Sequence, residues 1–212
     1  MSIIVPYRDR ADHLRIFIPA ITKALPNVPV LVVEQADDKP FNRAKLLNIG
    51  AKIAFANEAK LIITHDVDMI PTKETKYAQA HAGHLATAAS QFGGKMPYDR
   101  YFGGVNVFSK EFFQAINGYS NEYWGWGAED DDMLNRVEQA GVVPFRPDYP
   151  NPFLSLEHKH GLKVTGAKET HKANCARMTS GYDTSKEGLN TLEYELIGVS
   201  EMQGYKLIRV EL

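Results

Sequence analysis

Leu61-Ile62-Ile63-Thr64-His65-Asp66-Val67-Asp68 is the stretch on which the fold turns. An apolar, β-branched run stops abruptly at charged residues, and Pro71 follows, as expected of a buried strand that ends at a sheet edge. The same pattern occurs twice upstream. Ile3-Ile4-Val5, ended by Pro6, leads through Tyr7-Arg8-Asp9-Arg10 into apolar residues at helical spacing over residues 11–25. Val30-Leu31-Val32-Val33 leads through the polar loop 34–40 into a helix over 41–57, with Asn42 as its N-cap. Three strand-then-helix units in the first third of the chain predict a parallel, doubly wound α/β sheet with right-handed crossovers. Ligands bind such sheets beyond the carboxyl ends of the strands. Arg8 and Arg10, Glu34 and Asp37, and Asp66 and Asp68 all follow strand ends, so the polar groups converge on one edge.

Downstream the pattern loosens. An apolar patch at 85–89 precedes a strand over 101–108, and Ser109 caps a short helix that Gly118 closes. Tyr123-Trp124-Gly125-Trp126-Gly127-Ala128-Glu129-Asp130-Asp131-Asp132 reads as a glycine-hinged loop feeding a helix over 130–140, terminated by Gly141. Residues 144–152 contain four prolines and form an irregular connection. A strand is expected over 154–160. Residues 161–188 are polar and weakly periodic and read as a long loop with at most one helical turn, able to order around a ligand. Strands over 191–197 and 205–210 make an antiparallel hairpin on the sheet edge.

Composition narrows the function. The 212 residues suit one α/β domain, and the net charge of −2 leaves no basic excess for gripping nucleic acid or anionic lipid. No apolar run approaches the roughly 18–20 residues needed to span a bilayer. The single cysteine, Cys175, allows no internal disulfide, favours a reducing compartment, and has no motif that marks it as a nucleophile.

Several residues have the right chemistry for a site. A capped helix start accounts for some of the four carboxylates at 129–132, but four adjacent ones repel each other, so at least one should serve another purpose. Two indoles beside a carboxylate offer what a sugar ring needs, an apolar face and a hydroxyl acceptor. Asp66 and Asp68, at i and i+2 on extended backbone, share a face and can meet one cation, or a cation and a ribose; a solvated strand end is the competing reading. His158 and His160 have the same spacing and, beside Asp68, would suit a divalent transition metal with manganese favoured over magnesium; two surface histidines are the alternative. Arg8, Arg10 and Arg43 can clamp phosphates or serve as ion-pair partners. Phe41 and Tyr7 can stack on a base or belong to the core. His65, His81, His84 and His171 carry no partner pattern and read as surface or core residues.

Six ordered segments together resemble the β-1,4-galactosyltransferase family, metal-dependent inverting enzymes with a GT-A, Rossmann-like fold. They are Ile3-Ile4-Val5-Pro6-Tyr7-Arg8-Asp9-Arg10, Phe41-Asn42-Arg43-Ala44-Lys45-Leu46-Leu47-Asn48-Ile49-Gly50, His65-Asp66-Val67-Asp68-Met69-Ile70-Pro71, Tyr101-Phe102-Gly103-Gly104, the Trp124–Asp132 block, and Glu187-Gly188-Leu189-Asn190-Thr191-Leu192. The resemblance implies one catalytic domain over 1–212, with a nucleotide-binding half at 1–71 and an acceptor and metal half at 72–212. It implies UDP-galactose as donor, with Pro6, Tyr7, Arg8, Arg10, Phe41 and Arg43 around the uridine diphosphate and Asp66 with Val67 near the ribose. Asp68, His158 and His160 would hold Mn2+. Trp126 would sit on a lid near the diphosphate, Glu129, Asp130 and Asp131 would meet the acceptor sugar, and Asp130 would be the general base. Tyr101, beside Gly104, occupies the position that helps choose galactose over an N-acetylated donor sugar.

His158-Lys159-His160 is similar to the xylose-acceptor branch, although Gly161 stands where that branch usually carries Asp. The anchor, stem and disulfides of animal Golgi members have no counterpart, so a cytoplasmic enzyme is expected, without a transmembrane segment and associated at most peripherally with a membrane glycan-assembly system. A non-catalytic nucleotide- or carbohydrate-binding module and a UDP-sugar hydrolase are the competing functions.

Overall fold

The structure is a computed structural model and describes residues 1–157 and 167–212. In chain order the first half contains β1 (Ser2–Tyr7), α1 (Ala11–Ala24), β2 (Val30–Gln35), α2 (Arg43–Ala56), β3 (Leu61–His65), β4 (Met69–Pro71), β5 (Ala82–His84) and β6 (Ala88–Ala89). The second half adds β7 (Val105–Ser109), α3 (Lys110–Ala115), α4 (Glu129–Gln139), β8 (Pro152–Ser155), α5 (Ala167–Thr179), β9 (Glu195–Met202) and β10 (Tyr205–Glu211).

Seven strands form the main sheet in the order β5-β7-β3-β1-β2-β10-β9. β3, β1 and β2 are parallel, as the three repeated units predict, and β10 extends them by pairing parallel to β2. β7 and β5 continue the other side antiparallel, and β9 closes the far edge as the antiparallel partner of β10. A small sheet, β4-β8-β6, stands apart from it.

Alternation along the strands sends side chains to two cores. Ile3, Val5, Val30, Val32 and Ile63 meet Leu14, Phe17, Ile18 and Ile21 of α1 on one face. Ile4, Leu31, Val33 and Ile62 meet α2, Phe112 and Phe113 of α3, and Met133, Leu134 and Val137 of α4 on the other. Near-continuous apolar strands are the signature of a sheet covered on both faces.

Three local expectations are corrected. β1 does not stop at Pro6 but runs on to Tyr7; its ladder with β3 ends at Ile4, so the proline stands where only the β2 pairing remains. The strand expected over 101–108 begins only at Val105, because residues 101–104 follow an irregular path in which Arg146 donates to the carbonyl of Tyr101 (2.9 Å). Within the stretch read as a loop, Ala167–Thr179 forms a helix of 13 residues. It is built from good helix formers but buries only Ala167 and Asn174, so it lacks the apolar stripe that periodicity detects. His158 and His160, and the first residues of the 161–188 stretch, lie outside the described residues. Among the described residues no helix is long and apolar enough to cross a membrane.

Candidate active site

The turn after β3 is built from backbone bonds. Asp66 N–H donates to the Gly104 carbonyl (3.0 Å), Met69 N–H to the Asp66 carbonyl (3.2 Å), and Leu156 N–H to the Asp68 carbonyl (2.8 Å). Both carboxylates are thereby held at the carboxyl edge of the sheet, while Val67 turns inward and is buried. Gly104 takes part through its backbone.

Arg43, the first residue of α2, reaches across this edge. Asn42 fixes its backbone, accepting from Lys45 N–H (2.8 Å) and donating to the Asn121 carbonyl (2.7 Å) from a fully buried side chain. The Arg43 guanidinium donates through Nε to Asp66 (2.7 Å) and through Nη1 to Asp130 (2.6 Å), with Glu129 at 3.6 Å. Its Nη2 is buried and has no hydrogen-bond partner among the described residues. Burial works against the Arg43 charge, and Asp130, Asp66 and Glu129 together overcome it, so the guanidinium stays charged. One cation faces three carboxylates. Burial pushes the Asp130 carboxyl well above the usual range against the pull of Arg43, and Glu129, Asp66 and Asp131 push it further. Burial likewise raises Asp66 to about 6, with Arg43 opposing and Asp68 adding to the rise.

The four adjacent carboxylates have different partners. Glu129 and Asp130 face Arg43, and Asp131 accepts from the Tyr98 hydroxyl (2.9 Å). Asp132 points away from the site: it is buried, accepts from Arg136 Nε (3.1 Å) and from the Tyr182 hydroxyl (2.7 Å), and anchors α4. Tyr101 packs edge-on against His84 and Tyr98, and its hydroxyl proton is held more tightly by burial and by the nearby Asp130 and Asp66. Gly103 separates the two groups. A Cβ there would lie 2.6 Å from the Tyr101 hydroxyl and 2.8 Å from Asp130 Oδ2, so no larger residue fits between them.

The tryptophan loop is gripped by α5, which sequence reasoning missed. Asn174 donates to the carbonyls of Trp124 (3.1 Å) and Gly127 (3.0 Å), and the His171 ring lies 4.9 Å from that of Trp126. A Cβ on Gly127 would lie 2.4 Å from His171 Nδ1, and its φ of +98° is in the glycine region. The glycine thus provides close approach as well as a turn. From the other side, Gly125 N–H donates to the Phe41 carbonyl (2.8 Å). No periodic signal marks Asn174; only its polarity in a helix without an apolar face hints at such a contact.

The other expected residues are more dispersed. Arg8 lies over the Phe41 ring (5.3 Å) and donates to the Lys39 carbonyl (2.6 Å). Pro6 and Tyr7 are buried in β1, and Arg10 is the N-cap residue of α1 without a side-chain cap. His65 and His84 are core residues; burial lowers them to about 4 and about 3. His81 bonds Ser109 (2.9 Å), and Cys175 Sγ lies 3.6 Å from His171 Nε2. Asp68 is a hard oxygen donor, and its charge adds to the rise at Asp66, an excess of negative charge that a divalent cation would relieve. Among the described residues no three His, Cys, Asp or Glu side chains group as a metal site, His158 and His160 being outside them.

A parallel core with an antiparallel extension, and an acidic site at its carboxyl edge, define the GT-A class of glycosyltransferase fold. Residues 1–80 match the N-terminal region of glycosyl transferase group 7, and residues 83–159 a model described as the N-terminal domain of galactosyltransferase. Mus musculus β-1,4-galactosyltransferase 1 is 34% identical over 221 residues, covering 100% of this chain and 54% of the relative. Homo sapiens β-1,4-galactosyltransferase 3 is 36% identical over 208 residues, covering 92% and 51% respectively. The chain thus spans about half the length of the curated relatives it matches. A solved structure of Drosophila β-1,4-galactosyltransferase 7, in complex with manganese, UDP-Gal and xylobiose, is 30% identical with a TM-score of 0.82, covering 100% of this chain and 93% of that one. The chain belongs to the β-1,4-galactosyltransferase family.

Proposed function

We propose that this chain is a metal-dependent inverting galactosyltransferase that moves galactose from UDP-galactose to a sugar hydroxyl in β-1,4 linkage. The observation that carries this reading is the Arg43 bridge, which ties a strand-end carboxylate, Asp66, to a helix-start carboxylate, Asp130. The ligands of the Drosophila relative support the donor, and its xylobiose favours a xylose-type acceptor.

Phe41 and Arg8 border the uridine diphosphate with Pro6, Tyr7 and Arg10, and Asp66 and Val67 lie at the ribose. Glu129, Asp130 and Asp131 meet the acceptor, and Tyr101 and Gly104 border the donor sugar. The acceptor hydroxyl attacks the anomeric carbon from the face opposite UDP; its proton passes to Asp130 as the new C–O bond forms and the bond to the β-phosphate oxygen breaks. A carboxyl raised by burial is a stronger base, and Arg43 opposes that rise. Asp68, with His158 and His160, would hold Mn2+, which when bound offsets negative charge developing on the departing UDP. Trp126, held by α5, covers the donor and excludes water. A cytoplasmic setting, supported by the lone Cys175, belongs to the same proposal.

UDP release from UDP-galactose with Mn2+, across xylosides, glucosides and N-acetylglucosaminides and a no-acceptor control, tests the reading. Acceptor-dependent release is expected. Release independent of acceptor would make the protein a hydrolase, and tight UDP binding without release a binding module.

A further inference from the structure

His65 belongs to none of the roles above, yet it is fully buried beside the turn that carries Asp66 and Asp68. Its ring packs against Phe17 (centroids 4.9 Å), Phe153 (5.7 Å) and Tyr77 (5.9 Å), so its position is fixed by packing on several sides. Nδ1 lies 3.0 Å from the Asp66 carbonyl oxygen and Nε2 lies 2.9 Å from the Tyr77 hydroxyl.

These contacts assign the tautomer. A carbonyl oxygen only accepts, so Nδ1 carries the proton. Burial keeps the ring neutral, so Nε2 has a lone pair and accepts a hydrogen bond from the Tyr77 hydroxyl. The same Asp66 carbonyl accepts Met69 N–H (3.2 Å), the bond that closes the turn Asp66-Val67-Asp68-Met69. A rigid aromatic side chain therefore braces the one carbonyl around which the turn is built. Any buried imidazole needs an acceptor for its N–H, and here that acceptor is the carbonyl on which the turn closes.

We propose that His65 is a positioning residue for cation binding: its Nδ1–H, held by Tyr77 through Nε2, locks the Asp66 carbonyl and so sets where the Asp68 carboxylate points. The proposal rests on the metal-dependent reading above. Replacement of His65 weakens the divalent cation rather than the chemical step, because the ring touches neither donor nor acceptor.

Two amide replacements separate the two ring nitrogens. In His65→Asn the side-chain amide occupies the place of Nδ1 and still donates to Asp66; in His65→Gln it occupies the place of Nε2 and serves Tyr77 alone. Mn2+ affinity is measured without turnover, from the electron paramagnetic resonance signal of free Mn2+ titrated in the presence of UDP. His65→Asn is expected to stay within about 3-fold of the unaltered protein, and His65→Gln and His65→Phe to bind Mn2+ about 10-fold more weakly or worse. At saturating Mn2+ kcat should stay within a few-fold. Equal Mn2+ affinity in His65→Phe, or equal loss in His65→Asn and His65→Gln, overturns the assignment.

Imidazole 15N spectra of the unaltered protein, with hydrogen exchange at the Met69 amide, test the brace independently of cation binding and of variant folding. A protonated Nδ1, an unprotonated Nε2 and a protected Met69 amide are expected; the opposite tautomer or a fast-exchanging Met69 amide overturns the proposal. If the unaltered protein binds no Mn2+ while these signals are as expected, the brace stands, the metal-dependent reading fails, and the link to cation binding falls with it.

Discussion

Replacing Arg43 with methionine removes the one guanidinium that holds Asp66 and Asp130 at 2.7 and 2.6 Å, with Glu129 at 3.6 Å. Methionine fills a similar volume, so the loss is mainly electrostatic. All three carboxylates are less than a third exposed, and without Arg43 they face each other unpaired. Breaking a buried ion pair from one side costs about 3–5 kcal/mol. At about 2–4 °C per kcal/mol for a domain of this size, the melting temperature should fall by about 6–20 °C. Lysine should recover only part, since one ammonium cannot reproduce separate Nε and Nη1 contacts. Stability is read from urea unfolding at neutral pH in a double-mutant cycle with Asp130→Asn. Asp130→Asn alone should cost little, because Arg43 keeps Asp66 and Glu129. In the Arg43→Met background the same change should stabilise, by relieving repulsion, with a coupling of at least about 1 kcal/mol. An Arg43→Met cost under about 1 kcal/mol, or additive effects of the two changes, would show that the bridge is not what holds these carboxylates together.

Asp130→Asn, which keeps shape and loses the proton acceptor, should lower transfer by about 10²- to 10⁴-fold while UDP and Mn2+ binding persist; activity within a few-fold of the original sinks the base assignment. Asn174→Ala leaves the carbonyls of Trp124 and Gly127 without their side-chain donor, a local loss of about 1–3 kcal/mol. Amide exchange within 124–127 should speed up and the donor KM rise, with the global unfolding midpoint nearly unchanged; unaltered exchange there refutes the grip. His84 has a folded-state pKa of about 3, below its unfolded value, so its contribution is complete above the unfolded pKa and is lost as pH falls toward the folded one. His84→Gln, which keeps a donor for the Gly103 carbonyl, should flatten the stability slope between pH 6 and 4 by up to about 1.4 kcal/mol per pH unit, and an unchanged slope in urea titrations would refute it.

What the sequence made legible is what periodicity and strand ends encode. Ile3 and Ile4 point to opposite cores because strands alternate, and that regularity is local, so the parallel sheet follows from it. Asp66 was singled out because it shares a face with Asp68 at a strand end, a pattern that a solvated strand end explains equally well. The four carboxylates at 129–132 show the limit of such reasoning. Their repulsion implied that at least one serves another purpose, but not which: Asp132, two residues beyond Asp130, is turned into the protein and bound to Arg136 and Tyr182.

Arg43 shows a related limit. An arginine at a helix start beside Phe41 is equally suited to phosphate or carboxylate, and only the meeting of α2, β3 and α4 in space decides that its bonds go to Asp66 and Asp130. Helix α5 was missed for a different reason. Its contacts with the tryptophan loop run through Asn174 and His171, single polar and aromatic contacts that leave no stripe. The loop glycines were legible only in part: a positive φ at Gly127 is what a glycine-hinged loop predicts, but the need for a missing Cβ depends on His171, 44 residues further along the chain. Chemistry that depends on two distant segments meeting is therefore hidden from spacing rules, and the Arg43 bridge and the Asn174 grip are both of that kind.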